Sequence, residues 1–530
     1  MSLIPASISS FSVPKLFHKT WAGTFICKPQ VYFQPENIEQ IVELVNVARE
    51  KKKSLMVVGS GHSPSDMTMT DEWLVNLDKF QKILDINVQE SGKYTDVTVE
   101  AGIRIYQLND FLQQKGLAVQ NLGSISEQSV AGIISTGTHG ASPFHGLVSQ
   151  QVVDITLVNG KGELIKCSPL INQELFRGAM LSLGKLGMIV KVTLRTVPRY
   201  QIKSTQEIIE FQTLLKVWDT IWTEDEFIRV WWFPYTKRCV LWRASKSEEP
   251  LSKPRTSWYG TSLGRFFYES LLWFAVHIYS RLTPYIERFV FSRQYGLEET
   301  LGYGTSAVEE SVEGLNMDCL FSQFVNEWAA PLTNGPEILR SLEHSINLAA
   351  RNGDFFVHAP IEVRCSNTTT SNSLEKPNVS SRKITSPGPI YGNDLRPLLD
   401  NTPRLNWVPQ ENVTNSQLTL YINATMYRPF GTSVPIGKWY QVFEETLEAA
   451  GGKPHWAKNF IGSEAYAGGI LKSNYKDGEM KGFAGKMDEW FGDDLKTFKR
   501  LRRQNDPNNV FLSGKDWALR NGIIDETDLQ

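Results

Sequence analysis

The sequence predicts an α+β protein of several domains, and three observations carry that reading. At 530 residues the chain exceeds what one hydrophobic core serves. Between residues 22 and 197, short apolar strand runs alternate with amphipathic helical patterns and are broken by glycine-rich loops. From 198 to 440, long helical patterns mix with further strands, and 441–530 returns to helix before a closing turn. Residues 1–21 then stand apart as an N-terminal extension.

Ile38 to Lys51 carries apolar residues at 38, 41, 42, 45 and 48, the spacing of one helix face. Ser54 to Val58 is a strand-type run that breaks into Gly59-Ser60-Gly61 and presents His62 and Ser63. Glycines with small hydroxyl residues expose consecutive backbone N–H groups, a donor array suited to a pyrophosphate. A helix precedes this strand, and neither G-x-G-x-x-G nor GK[ST] is present, so the loop is not a Rossmann or P-loop site. An ordinary turn is the competing reading. Tyr94 to Glu100 alternates as a strand, and a helix follows around Tyr106 to Gln114.

Gln120 to Ser129 leads into Val130-Ala131-Gly132-Ile133-Ile134-Ser135-Thr136-Gly137-Thr138-His139-Gly140, which holds almost nothing larger than isoleucine. Such a run lets a flat aromatic ligand lie against the backbone with hydroxyls at its polar edge, although a tightly packed helix and loop has the same composition. Asn159-Gly160-Lys161-Gly162 signals a hairpin, and Gly187 to Leu194 is a strand. Polar stretches at 245–257 and 366–389 read as surface loops. Leu263 to Phe291 reads as an aromatic-rich helix whose uninterrupted apolar core is well short of the ~20 residues needed to span a bilayer. It suits either a membrane interface or a buried position. Glu362 and Arg364 stand two apart in a strand-like segment, so both side chains point to one face. On a cavity wall they can grip a polyol; on a surface they are an ion pair. Gly452-Lys453-Pro454-His455-Trp456-Ala457-Lys458 adds a further cation.

A net charge of −2 argues against a general attraction to nucleic acid. Five scattered cysteines without C-x-x-C, and histidines without H-E-x-x-H, argue against a metal site or a disulfide scaffold. The N-x-S/T sequons at Asn367, Asn378, Asn412 and Asn423 lack a secretory signal peptide before them. The first twenty residues hold Lys15 and Lys19 and no acidic residue, a composition shared by mitochondrial presequences and plain extensions.

Val58-Gly59-Ser60-Gly61-His62-Ser63-Pro64 and Asn121 to Gly140 together resemble the flavin-binding half of the vanillyl-alcohol oxidase superfamily. Ile361 to Arg364, Gly452 to Lys458 and Asp506-Pro507-Asn508-Asn509-Val510-Phe511-Leu512 are similar to the sugar-1,4-lactone oxidases, and most of all to those of yeasts acting on D-arabinono-1,4-lactone. The resemblance implies a two-subdomain FAD-binding domain (22–197), a substrate or cap domain on an antiparallel sheet flanked by helices (198–440), and a C-terminal segment (441–530) that completes the site and packs back on the FAD domain.

It also implies roles. Val58, Gly59, Ser60, Gly61, Ser63, Gly123, Ser124, Ser129, Gly132, Thr136, Gly137, Thr138, His139 and Ile189 would contact FAD, and His62 would hold it covalently. Glu362, Arg364 and Lys458 would act on the lactone, with Ser124 and His455 beside it. Gly123 stands where plant dehydrogenases of the superfamily carry alanine, so oxygen is the implied acceptor. The expected reaction oxidises the C2 hydroxyl of the lactone and forms hydrogen peroxide. An alditol oxidase and an oxidase or dehydrogenase of L-gulono- or L-galactono-1,4-lactone are the alternatives. The resemblance further implies association with a mitochondrial membrane, the outer one, through 263–291 in the family's manner of attachment.

Overall fold

The computed structural model describes residues 4–89, 92–317, 319–367, 392–404, 414–463, 465 and 480–529. The expected loop at 366–389 lies almost wholly outside them, as do Asn378 and Asn412.

Three sheets organise the chain. The first runs Ser12–Val13, Val31–Phe33, Trp73–Asn76, Leu55–Val58, and its last three strands pair in parallel. Helix Ile38–Glu50 precedes Leu55–Val58, and Asn37 caps it by accepting from the Gln40 amide. The second sheet runs Leu164–Cys167, Val152–Val158, Met188–Pro198, Thr95–Glu100, Ile83–Val88, all antiparallel. Its Asn159-Gly160 hairpin forms as the sequence predicts, with Asn159 Oδ1 accepting from the Lys161 and Glu163 amides.

The third sheet is antiparallel and eight-stranded: Thr305–Glu310, Gln201–Glu210, Arg238–Ser247, Phe227–Phe233, Ile361–Asn367, Leu418–Tyr427, Gln323–Pro331, Lys453–Pro454. Helices Phe211–Ile221 and Gly335–Asn352 pack their apolar faces on it. This is the α+β architecture that the sequence predicts, with a second domain built on an antiparallel sheet flanked by helices.

One expectation is corrected and two gain detail. Within the N-terminal extension, Ile8 and Phe11 are buried in the core of the first sheet, and Ser12–Val13 is one of its strands. Two apolar residues at that spacing suffice to anchor it, too few to register as an element in sequence. The stretch 263–291 is a helical pair, Ser262–His277 and Thr283–Tyr295, because Pro284 fits only the first turn of a new helix. The stretch 245–257 is mixed: the strand Arg238–Ser247 runs to its third residue before the exposed loop begins.

Candidate active site

The glycine-rich loop after Leu55–Val58 and the small-residue run around Val130–Ser135 face each other across a cavity. Val58, Gly59, Ser60, Gly61, His62, Ser63, Ser129, Gly132, Thr136 and Ile189 line it. Gly59 is required by this approach, since a Cβ there would collide with Ser129 Oγ. Ser129 is itself fixed as the cap of Val130–Ser135, accepting from the Gly132 amide at 3.2 Å. Gly61 sits at φ +72°, a backbone that side chains disfavour. Gly137 is not in the lining of this cavity; with φ +73° it makes the turn that leads to Thr138.

A second cavity adjoins the first and shares His62, Gln128 and Ala457 with it. Gly123, Ser124, Thr138, His139, Glu362, Arg364, His455 and Lys458 all line it. The far wall is one row of the large sheet. Trp231 lies opposite Glu362, Glu362 opposite Asn423, and Asn423 opposite Glu327. Directly paired residues share a face, so backbone register alone points this row into the cavity. Arg364 is two residues along the same strand from Glu362, and its Nε lies 3.4 Å from Glu362 Oε2.

Glu327 is the residue that sequence reasoning missed. It is fully buried and joins three other groups. Arg364 Nη2 donates to its Oε1 at 2.6 Å, His139 Nε2 meets the same oxygen at 3.1 Å, and Lys458 Nζ lies 3.1 Å from Oε2. Burial opposes its ionisation, yet Lys458, Arg364 and the His139 hydrogen bond hold the carboxyl well below the usual range. The available signal was a lone glutamate inside the apolar strand Gln323–Pro331, where a buried charge requires partners. The sequence does not say which.

Glu362 Oε1, Glu327 Oε2 and Arg364 Nε are all buried and without a hydrogen-bond partner; the last two have ion-pair contacts, and Glu362 Oε1 has none. Ser124 Oγ accepts from Arg364 Nη1 at 3.4 Å and so ties the small-residue loop to the sheet. His139 stacks on Tyr421 with ring centroids 3.4 Å apart. Burial pushes the imidazole of His455 down to about 3.

His62 stands where the two cavities meet. Its ring stacks on Trp21 at 5.5 Å, and its Nδ1 is buried without a partner. Burial pushes its pKa down to about 4, so the ring is neutral at physiological pH with a nitrogen lone pair available. The Trp21 amide donates to the Gly61 carbonyl at 2.9 Å, which fastens the N-terminal segment over the loop.

The first cavity suits FAD. Its lining is mainly glycine, hydroxyl and apolar residues, with Lys185 the one ammonium and no carboxylate among the described lining residues. A dianionic diphosphate meets no like charge there, and the orphaned His62 nitrogen lies at the entrance to the second cavity. The second cavity carries the polar groups that a polyhydroxy substrate would need.

Comparison with known proteins agrees. Residues 29–168 match the FAD binding domain model, and residues 192–521 match the D-arabinono-1,4-lactone oxidase model. The chain is 59% identical over 532 residues to a D-arabinono-1,4-lactone oxidase of Eremothecium gossypii, covering 100% of both chains. It is 60% identical to the Yarrowia lipolytica protein of that name, over 98% of this chain and 100% of the relative. Against the Saccharomyces cerevisiae protein it is 58% identical, over 96% and 97%. Among solved structures, a solvent-stable cholesterol oxidase superposes with a TM-score of 0.71 at 16% identity, covering 96% of this chain and 98% of that one. That likeness defines the class of fold, the one this chain shares with the cholesterol oxidases. The chain belongs to the D-arabinono-1,4-lactone oxidase family.

Proposed function

We propose that this protein is an FAD-dependent oxidase that converts D-arabinono-1,4-lactone and related sugar-1,4-lactones, with O2, to the dehydro-lactone D-erythroascorbate and hydrogen peroxide. The observation that carries the reading is the unpartnered Glu362 Oε1 on the wall of a polar cavity that shares His62 with the cofactor cradle. Bound FAD supplies the hydride acceptor and returns the electrons to O2.

The protein residues do the rest. Glu362 Oε1 is free to accept a hydrogen bond from the reacting hydroxyl and then its proton. Arg364 Nε and the Lys458 ammonium lie on the same wall, where they stabilise negative charge developing on the substrate oxygen. Glu327 accepts from Arg364 at Oε1, is ion-paired with Lys458 at Oε2 and is held well below the usual carboxylate range by these cations, so it is the poorer base. Asn423 and Thr425 line the same wall and offer partners for the remaining hydroxyls. Arg364→Ala and Lys458→Ala are each expected to lose about 3–4 kcal/mol of transition-state stabilisation, roughly 10²–10³ in rate. Glu362→Gln keeps the shape and tests proton removal. Anaerobic flavin reduction by the lactone is the measurement, and near-wild-type rates in both cation variants sink the reading. A peroxide-coupled panel of D-arabinono-, L-gulono- and L-galactono-1,4-lactone and open-chain alditols separates it from the alternatives.

The same reading makes the flavin covalent through His62. The neutral ring, its unpartnered Nδ1 and its place at the junction of the cavities support that bond.

Attachment to the interface of a mitochondrial membrane is the remaining element. Helix Ser262–His277 buries Tyr268, Leu272 and Ala275 against the substrate domain while Leu263, Phe266, Phe267 and Phe274 stay exposed on its other side. Ile278, Tyr279 and Tyr285 extend the exposed apolar face. Among the described residues no helix is long and apolar enough to cross a membrane, which favours lying in the interface. The mitochondrial placement itself comes from the family resemblance, and subcellular fractionation tests it.

A further inference from the structure

We propose that Glu327 is a positioning residue for the oxidation: its buried carboxylate holds Arg364 and Lys458 side by side so that both cations act on the same substrate oxygen. The proposal rests on the lactone reading above and adds the device that makes the cation pair possible.

Arg364 and Lys458 arrive from separate parts of the fold, the strand Ile361–Asn367 and the loop after Lys453–Pro454. Placed beside one cavity without a counter-charge, they would repel each other in a poorly solvated site. Lys458 is the freer of the two, with a side chain 21% exposed, and would swing toward water. Glu327 removes that repulsion from behind. It is 0% exposed, and its position is fixed by main-chain pairing with Asn423 in the row that also carries Glu362. Oε1 takes Arg364 at 2.6 Å and His139 at 3.1 Å, and Oε2 takes Lys458 at 3.1 Å.

The geometry therefore divides labour between two carboxylates. Glu362 lies on the cavity wall with an unpartnered Oε1, whereas Glu327 accepts from Arg364 at Oε1 and holds Lys458 at Oε2 by an ion pair rather than a hydrogen bond. Arg364 also pairs with Glu362 at 3.4 Å, so two cations face two carboxylates at rest. Once Glu362 has taken the proton, the cations share Glu327 alone, and the surplus positive charge faces the oxygen that lost it. His139 adds a hydrogen bond that fixes the carboxylate plane, and its stacking on Tyr421 fixes the imidazole in turn.

The test uses the flavin-loaded enzyme and measures anaerobic reduction per bound flavin together with the lactone Kd. Glu327→Gln is expected to lower the reduction rate constant on the order of 10²-fold while the Kd for D-arabinono-1,4-lactone changes only a few-fold. A merely structural role would lower flavin content and leave the rate per flavin unchanged. In the Glu327→Gln background, Lys458→Ala is expected to cost less than about a tenth of its wild-type effect, because the lysine has already lost its place. Additive losses, or a wild-type rate per flavin in Glu327→Gln, overturn the proposal. If that variant does not fold, Glu327→Asp carries the same cycle, since it keeps the charge and withdraws it by one methylene. Near-wild-type rates in Arg364→Ala and Lys458→Ala would instead bring down the lactone-site reading itself. Impaired cation variants with additive Glu327 effects bring down only the positioning role.

Discussion

Replacing Gly123 by alanine tests whether a single methyl group controls access of oxygen, and the structure shows that the substitution is not clean. A Cβ at Gly123 would lie 2.8 Å from Thr138 Cγ2, with Gln128 Oε1 and the His139 carbonyl at an ordinary 3.7 Å. The first contact is about 0.7 Å inside the ~3.5 Å at which carbon atoms rest. Thr138 cannot retreat with its backbone, because its amide donates to the Ile133 carbonyl at 3.0 Å and its carbonyl accepts from the Val148 amide at 2.8 Å. Overpacking of this kind costs about 1–3 kcal/mol. Gly123→Ala should therefore unfold at lower temperature and also reoxidise more slowly with O2, while anaerobic reduction by the lactone is much less affected. The double variant Gly123→Ala/Thr138→Ser removes the clashing Cγ2 and separates the two causes. Thermal stability should recover, and slow reoxidation should persist, with Thr138→Ser alone as the control. If the oxygen rate recovers together with stability, the methyl acted through strain and oxygen gating at Gly123 is refuted.

Further predictions concern the cofactor bond, the exposed helix face and a buried carboxyl. Acid-precipitated protein should stay yellow, with a His62-containing peptide carrying the mass of FAD, and His62→Ala should give a colourless pellet; a colourless wild-type pellet removes the covalent bond. Wild-type protein should float with phosphatidylcholine vesicles, and Phe266→Asp/Ile278→Asp should lower partitioning more than about tenfold, since each buried side chain contributes about 1.5–3 kcal/mol. Equal flotation of both proteins counts against the interface. Glu287 accepts from the Thr236 amide and hydroxyl at one oxygen and has no partner at the other, and burial pushes its carboxyl up to about 8. The folded state holds this proton more tightly than the unfolded one. Its contribution to stability is thus fully present below the unfolded value of 4.5 and is lost as pH rises through about 8. Thermal melts of Glu287→Gln between pH 6 and 9 should be flatter than wild type, and parallel curves would contradict the assignment.

The legible parts of the site were those written locally. The glycine-rich loop, the small-residue run and the Glu362–Arg364 spacing each lie within a few residues, and the two-residue period of a strand alone puts Glu362 and Arg364 on one face. Glu327 was not legible because its partners are set by the register of three strands and by the loop that carries Lys458, which no local pattern reports. Trp21 escaped for a similar reason: its contact with His62 depends on an N-terminal segment whose anchors, Ile8 and Phe11, are isolated apolar residues in sequence. The helical pair was half legible. Its aromatic content was plain, but Thr283-Pro284 carried the break, and only packing shows which face of Ser262–His277 meets the core.

The tail bears on how the protein is made. Leu55–Val58 is the edge strand of the first sheet, and the Leu55 amide is met by the Val510 carbonyl at 2.6 Å. Val510 and Phe511 complete the core of that sheet, Ser513 bonds Thr70, and Arg520 pairs with Asp66 just beyond the His62 loop. On the ribosome, the strand that presents the glycine-rich loop is synthesised early and keeps an open edge until the chain has grown past Val510. An unprotected edge of this kind invites pairing with other chains. Nascent chains halted before Val510 should accordingly occupy chaperones and bind flavin poorly, and cofactor loading belongs after Val510 and Phe511 have closed the sheet that presents the glycine-rich loop.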